Sequence, residues 1–116
     1  MVITALSWMG WRDAENANNE FVELTLDYRV WPRPTFDLTG FSLRNNAGEA
    51  FWFPAGFAVS RRAETLRIYS GRGQATPDIL YWGRAGPAWD NMGDCARLVA
   101  PDGSVMSRLP ALARCP

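Results

Sequence analysis

The sequence predicts an all-β sandwich, and three observations carry that expectation. About seven short segments alternate apolar and polar residues with the period of two that a half-buried strand requires. Turn signals built from Gly, Pro, Asn and Asp recur roughly every eight to twelve residues. No segment sustains a helical period with caps at its ends.

Residues 2–6 (VITAL) are short and β-branched and read as a first strand. Residues 7–19 (SWMGWRDAENANN) form a long polar and aromatic loop. Residues 21–27 alternate strictly: Val22, Leu24 and Leu26 share one face, and Phe21, Glu23 and Thr25 the other. Pro32 and Pro34 favour an extended edge or loop across residues 28–37. Residues 37–43 (DLTGFSL) follow as strand material, and residues 44–48 (RNNAG) supply a hairpin-type turn. In residues 51–53, Phe51 and Phe53 face one way and Trp52 the other, and Pro54 ends the segment. Arg61 and Arg62 lead into a strand at residues 64–70, with Leu66 and Ile68 inward and Thr65, Arg67 and Tyr69 outward.

A Gly-containing loop at residues 71–77 precedes residues 80–94 (LYWGRAGPAWDNMGD). This stretch reads as a compact loop joining two strands, with Trp82 and Trp89 packed and Asp90 and Asp94 fixing turns. In residues 95–100, Ala96 and Leu98 point inward and Cys95, Arg97 and Val99 outward. Pro101, Asp102 and Gly103 make a turn, and residues 104–109 are the last strand. The domain spans residues 1–109, and residues 110–116 are a tail.

Three blocks in this order, NEFVEL (residues 19–24), DLTGFSLRNNAGEAFWFP (residues 37–54) and LYWGRAGPAWDNMGDCARLVAPDGSVMS (residues 80–107), resemble the lamin-tail domain. That is the immunoglobulin-like module of nuclear lamins and of many bacterial proteins. The resemblance runs over residues 1–109. It implies an immunoglobulin-like antiparallel β-sandwich of lamin-tail type, and a non-catalytic module that binds proteins and, in lamins, chromatin. In bacteria the domain accompanies secreted or surface-associated hydrolases. The family motif contains no catalytic or metal-binding residue to carry over. The chain departs from the pattern at SWMGW (residues 7–11), at YRVWPRP (residues 28–34) and in ending near Cys115, and it lacks a lamin's coiled-coil rod.

Composition narrows the chemistry. A chain of 116 residues predicts one domain. Twelve basic and twelve acidic residues cancel, which argues against tight non-specific nucleic-acid binding. Every basic residue is Arg, which reads either as codon bias or as selection for planar, stacking cations. His is absent, so Ser–His and Cys–His nucleophile pairs are excluded, and neither enzymatic activity nor a cofactor is expected. No run approaches the roughly 18 apolar residues of a membrane span. Residues 1–13 do not read as a signal peptide.

The candidate partner-binding residues are Trp8, Trp11 and Arg12 in the first long loop and Arg29, Trp31 and Arg33 in the second. Exposed Trp flanked by Arg has the composition of protein-interface hot spots. The same rings suit stacking on sugars or bases, and the opposing reading buries them as a cap on the sandwich. A protein partner or self-association leads, with polysaccharide as the alternative. Asp90, Asn91 and Asp94 could offer oxygen ligands to calcium, against a plain turn. Glu20 and Glu23 cannot share a strand face, and Glu23 is expected to pair with an Arg across strands. Arg61, Arg62, Arg67, Arg72 and Arg84 read as a solvated surface. Cys95 and Cys115 are read two ways: as a disulfide worth about 3 kcal/mol, or as two independent thiols. A bridge would place the protein outside the cell or on its surface; without one it reads as cytoplasmic.

Overall fold

A computed structural model describes residues 2–7, 20–25, 35–60, 65–86, 88–89 and 95–109. These residues form strands and turns, with no helix among them. In chain order the strands are β1 (Val2–Ser7), β2 (Phe21–Thr25), β3 (Thr35–Asp37), β4 (Ser42–Arg44), β5 (Ala50–Trp52), β6 (Ala58–Ser60), β7 (Thr65–Tyr69), β8 (Ile79–Tyr81), β9 (Ala96–Val99) and β10 (Val105–Leu109). They assemble into two four-stranded sheets, ordered β1-β2-β7-β8 and β10-β9-β4-β5, and a two-stranded ribbon of β3 and β6. The architecture is β-sandwich-like and all-β. No helix of the described residues is long and apolar enough to cross a membrane.

The core forms where the period of two puts apolar side chains on facing sides of the sheets. Val22 and Leu24 from β2, Leu66 and Ile68 from β7 and Leu80 from β8 meet Leu43 from β4 and Ala96 and Leu98 from β9 in one buried cluster. Phe36 of β3 and Val59 of β6 join it. Burying each of the larger aliphatic side chains stabilises the fold by about 1.5–3 kcal/mol. The alternation expected for residues 21–25 and 65–69 is what the strands adopt, and Glu23 sits opposite Arg67 in the β2–β7 register. The expected cross-strand ion pair forms there, at 3.1 Å. Phe51 and Phe53 pack edge to face at 5.2 Å on the inner side, while Trp52 is 59% exposed on the outer.

Ten strands stand among the described residues where about seven were expected, and the structure departs from the sequence expectation in three further places. Residues 37–43 are not one strand. Asp37 ends β3 and accepts from the Thr39 N–H at 2.9 Å and the Thr39 hydroxyl at 2.6 Å, and the Phe41 N–H donates to the Leu38 carbonyl at 3.0 Å. The carboxylate of Asp37 thus draws the chain into a turn before β4 begins. Second, residues 79–81 are strand rather than loop, because β8 pairs with β7 in parallel. The connection between those strands passes beneath the Tyr81 ring at Gly73. A Cβ there would lie 2.3 Å from Tyr81 Cζ, so any larger residue would have to displace that ring. Third, Cys95 and Val99, expected to point outward, lie outside the core cluster yet are 0% and 5% exposed. Val99 belongs to an inner strand, where neighbours on β10 and β4 crowd its outer face.

The β9–β10 pairing contains a bulge. Val105 pairs with Val99, but Ser107 pairs with Leu98 and Arg108 with Arg97, so Met106 is a surplus residue. Val105 and Arg108 therefore share the outer face although they are an odd number of residues apart.

Core packing should dominate stability. Leu24→Ala is expected to cost about 2–5 kcal/mol in urea denaturation. Glu23→Ala, which removes a partly exposed ion pair, should cost about 1 kcal/mol or less.

Candidate functional site

Two polar side chains hold residues 88–89 in place. Glu20, directly before β2, is 2% exposed, and its Oε1 accepts from the Ser70 hydroxyl at 2.6 Å, the Ala88 N–H at 2.8 Å and the Trp89 N–H at 3.2 Å. Its carbonyl accepts from the Ser70 N–H at 2.9 Å. From the other sheet Asn45, also 2% exposed, donates through Nδ2 to the Ala88 carbonyl at 2.7 Å and to Glu49 Oε1 at 3.0 Å. The Asn45 Oδ1 accepts from the Glu49 N–H at 2.9 Å, closing the β4–β5 turn. In that turn Gly48 adopts a φ of 83°, as the sequence pattern requires. Ala88 is thus gripped at its N–H from one sheet and at its carbonyl from the other. Trp89, 3% exposed, packs at 75° to Trp82 with 5.8 Å between ring centres. This geometry holds a loop.

Arg84 extends the clamp. Its Nη1 donates to Glu49 Oε2 at 2.6 Å, and its guanidinium lies 5.4 Å from the Trp82 ring centre. The Arg84 hydrogen bond, with help from Asn45, holds the Glu49 carboxyl below its ordinary value of 4.5. Arg67, likewise, lies 4.4 Å over the Phe21 ring besides pairing with Glu23. Arg67 and Arg84, read from the sequence as solvated, are thus paired and stacked. Arg61 and Arg62 lie outside the described residues.

The outer face of β5-β4-β9-β10 gathers arginines. Register places Arg44 opposite Arg97 and Arg97 opposite Arg108, so three arginines from adjacent strands form one row. The next row begins with Trp52 opposite Ser42. Arg44 is fixed by donating Nε to the Ser42 hydroxyl at 2.9 Å and by lying 5.4 Å from the Trp52 ring centre. Arg97 donates through Nη1 and Nη2 to Asn46 Oδ1 at 3.0 and 3.2 Å. The ion pairs among the described residues involve Arg67 and Arg84, and none involves this row. Like charges opposite one another in a sheet repel. An uncompensated row of them in a chain of zero net charge is a local concentration of positive potential.

The expected partner-binding residues Trp8, Trp11, Arg12, Arg29, Trp31 and Arg33 lie outside the described residues, as do Asp90, Asn91, Asp94 and Cys115. Cys95 is described: it is fully buried and disulfide-bonded. Sequence reasoning placed Trp52 outward but missed its association with Arg44, Arg97 and Arg108. Alternation put Arg97 on an outer face, yet only the pairing register of three strands distant in sequence aligns the row. Glu20 gave no sequence signal beyond its place before β2. No protein-family model matches the chain, and no curated protein matches it.

Glu20→Ala should cost about 1–3 kcal/mol for each buried N–H left without an acceptor, and should weaken the near-ultraviolet circular dichroism of the packed tryptophans. The Glu49 carboxyl, lowered in the folded state, contributes stability above pH about 4.5 that is lost as pH falls through its folded value. Arg84→Met should flatten that part of the acid denaturation curve and leave the neutral-to-alkaline part unchanged in shape.

Proposed function

We propose that this chain is a non-catalytic, lamin-tail-like β-sandwich of immunoglobulin-like type, serving as a protein-interaction or assembly module. The observation that carries the reading is the exposed Trp52 held against Arg44 in an arginine row that has no acidic partner among the described residues. Trp and Arg together are the residues most enriched at interface hot spots. An arginine already fixed by a hydroxyl and a ring loses less side-chain entropy on binding. The tryptophan- and arginine-bearing loops at residues 7–19 and 28–37 supply the remaining contacts in this reading.

The alternative is an accessory module for glycans at a cell surface. It draws on the other outer face, where Phe21, Tyr69 and Tyr81 align across β2, β7 and β8. Tyr69 and Tyr81 stack on each other at 5.6 Å with an interplanar angle of 23°, so this face carries half-buried aromatic surface, the chemistry sugar rings pack on.

Immobilised protein should capture a specific partner from its native extract, or self-associate in sedimentation. Trp52→Ala combined with Arg97→Gln should reduce that binding about tenfold or more. Trp11→Ala combined with Trp31→Ala tests the loops in the same assay. Unchanged binding in both well-folded double variants would reject the interaction reading, and a polysaccharide-induced change in fluorescence lost in Tyr81→Ala would install the glycan one.

A further inference from the structure

The outer edge of β5 turns the arginine row into a directional docking site. In the β4–β5 pair, the Asn45 N–H donates to the Glu49 carbonyl at 3.2 Å and the Phe53 N–H to the Phe41 carbonyl at 3.1 Å. In an antiparallel pair the hydrogen-bonded positions alternate with non-bonded ones. With Ser42 opposite Trp52 and Arg44 opposite Ala50, bonding at residues 49, 51 and 53 leaves residues 50 and 52 facing away from β4. β5 is the last strand in its sheet. The N–H and carbonyl groups of Ala50 and Trp52 therefore point out of the open edge, with no hydrogen-bond partner among the described residues.

Side chains repeat that polarity. Ala50 and Trp52 share the outer face with Arg44, and Ala50 is the small residue between the edge and Arg44. A strand added beside Ala50 would place one of its side chains on the same row as Arg44, with only the alanine methyl between them. Arg44 uses Nε on Ser42, so its two Nη groups are the donors it would offer a carboxylate. Arg97 and Arg108 continue the positive row across the sheet.

We infer that β5 accepts an extended acidic segment of a partner protein by strand addition. Its backbone pairs with Ala50 and Trp52, a carboxylate opposite Ala50 bridges to Arg44, and a neighbouring apolar side chain covers Trp52. Main-chain bonds supply the affinity and the side chains the choice of partner. The brevity of β5 and Pro54 just beyond it limit the added strand to a few residues, so arginine contacts have to supply much of the specificity. This inference rests on the interaction reading and names the partner chemistry for its tryptophan–arginine face. Net neutrality of the chain favours an acidic peptide over a nucleic acid, whose binding grows with the number of phosphates neutralised.

The probe is a fluorescein-labelled octapeptide alternating Glu and Val, with a Gln-for-Glu version as control, read by anisotropy. The Glu peptide should bind about tenfold more tightly than the Gln peptide, and more weakly as salt rises. Arg44→Gln should abolish most of that preference. Ala50→Pro removes only an outward N–H and should weaken both peptides, with far-ultraviolet circular dichroism as the check on folding. Independently of any variant, amide exchange by NMR should show Ala50 and Trp52 protected when the Glu peptide is added. Binding without that protection, or a Glu preference that survives Arg44→Gln, overturns the inference. So does tighter binding of oligothymidylate or polygalacturonate through the same arginines, or a dimer lost in Trp52→Ala. Partner capture that persists in the absence of peptide binding would remove strand addition alone; absence of both would remove the interaction reading as well.

Discussion

One oxygen atom of Glu20 organises this sandwich. The carboxyl sits where β2 begins and β7 ends, and it gathers a hydroxyl and two consecutive backbone N–H groups. A buried loop is costly because its peptide groups have lost water. Residues 88–89 are buried nonetheless, since Glu20 takes the N–H groups and Asn45 the Ala88 carbonyl. Trp89 can then enter the core against Trp82, and Trp82 carries Arg84 toward Glu49 at the β4–β5 turn. Both sheets are tied through this point, and no buried side-chain nitrogen or oxygen among the described residues is left without a partner.

The same turn links stability to the arginine face. Asn45 and Glu49 close the hairpin whose strands carry Arg44 and Trp52. Asn46, in the middle of the turn, receives Arg97 from the far side of β4. Cations on the outer face are therefore anchored by neutral oxygens, which fix their directions and leave their charge uncancelled. An ion pair would fix them too, but would cancel the positive potential of that face. The contrast within one molecule is informative: Arg67 and Arg84 are neutralised by Glu23 and Glu49, whereas the row is not.

Local alternation was enough to read the strands and their core faces: Val22, Leu24, Leu66, Ile68, Ala96 and Leu98 all lie where a period of two puts them. Glu23 was expected to meet some Arg across strands, and the β2–β7 register makes it Arg67. What could not be read was relative placement. The parallel β7–β8 pair, the division of residues 37–43 by the Asp37 turn, and the arginine row all depend on which strands become neighbours. Register is decided by packing among distant segments, and one sequence does not display it. Glu20 was given no role for a related reason. A glutamate before a strand shows no function until the loop that uses it, 68 residues later, is brought alongside.

The bulge in β10 has a consequence for how this chain can change. A strand's inner and outer faces are assigned by counting, so a single-residue gain or loss ordinarily exchanges them for everything downstream. Here the strand already holds one residue more than its partner requires. Losing Met106 would give an unbroken ladder with Ser107 still opposite Leu98 and Arg108 still opposite Arg97. The position is a built-in slack point. Homologous chains can differ in length there without turning an arginine into the core, while a deletion anywhere in the regular part of β9 has no such refuge.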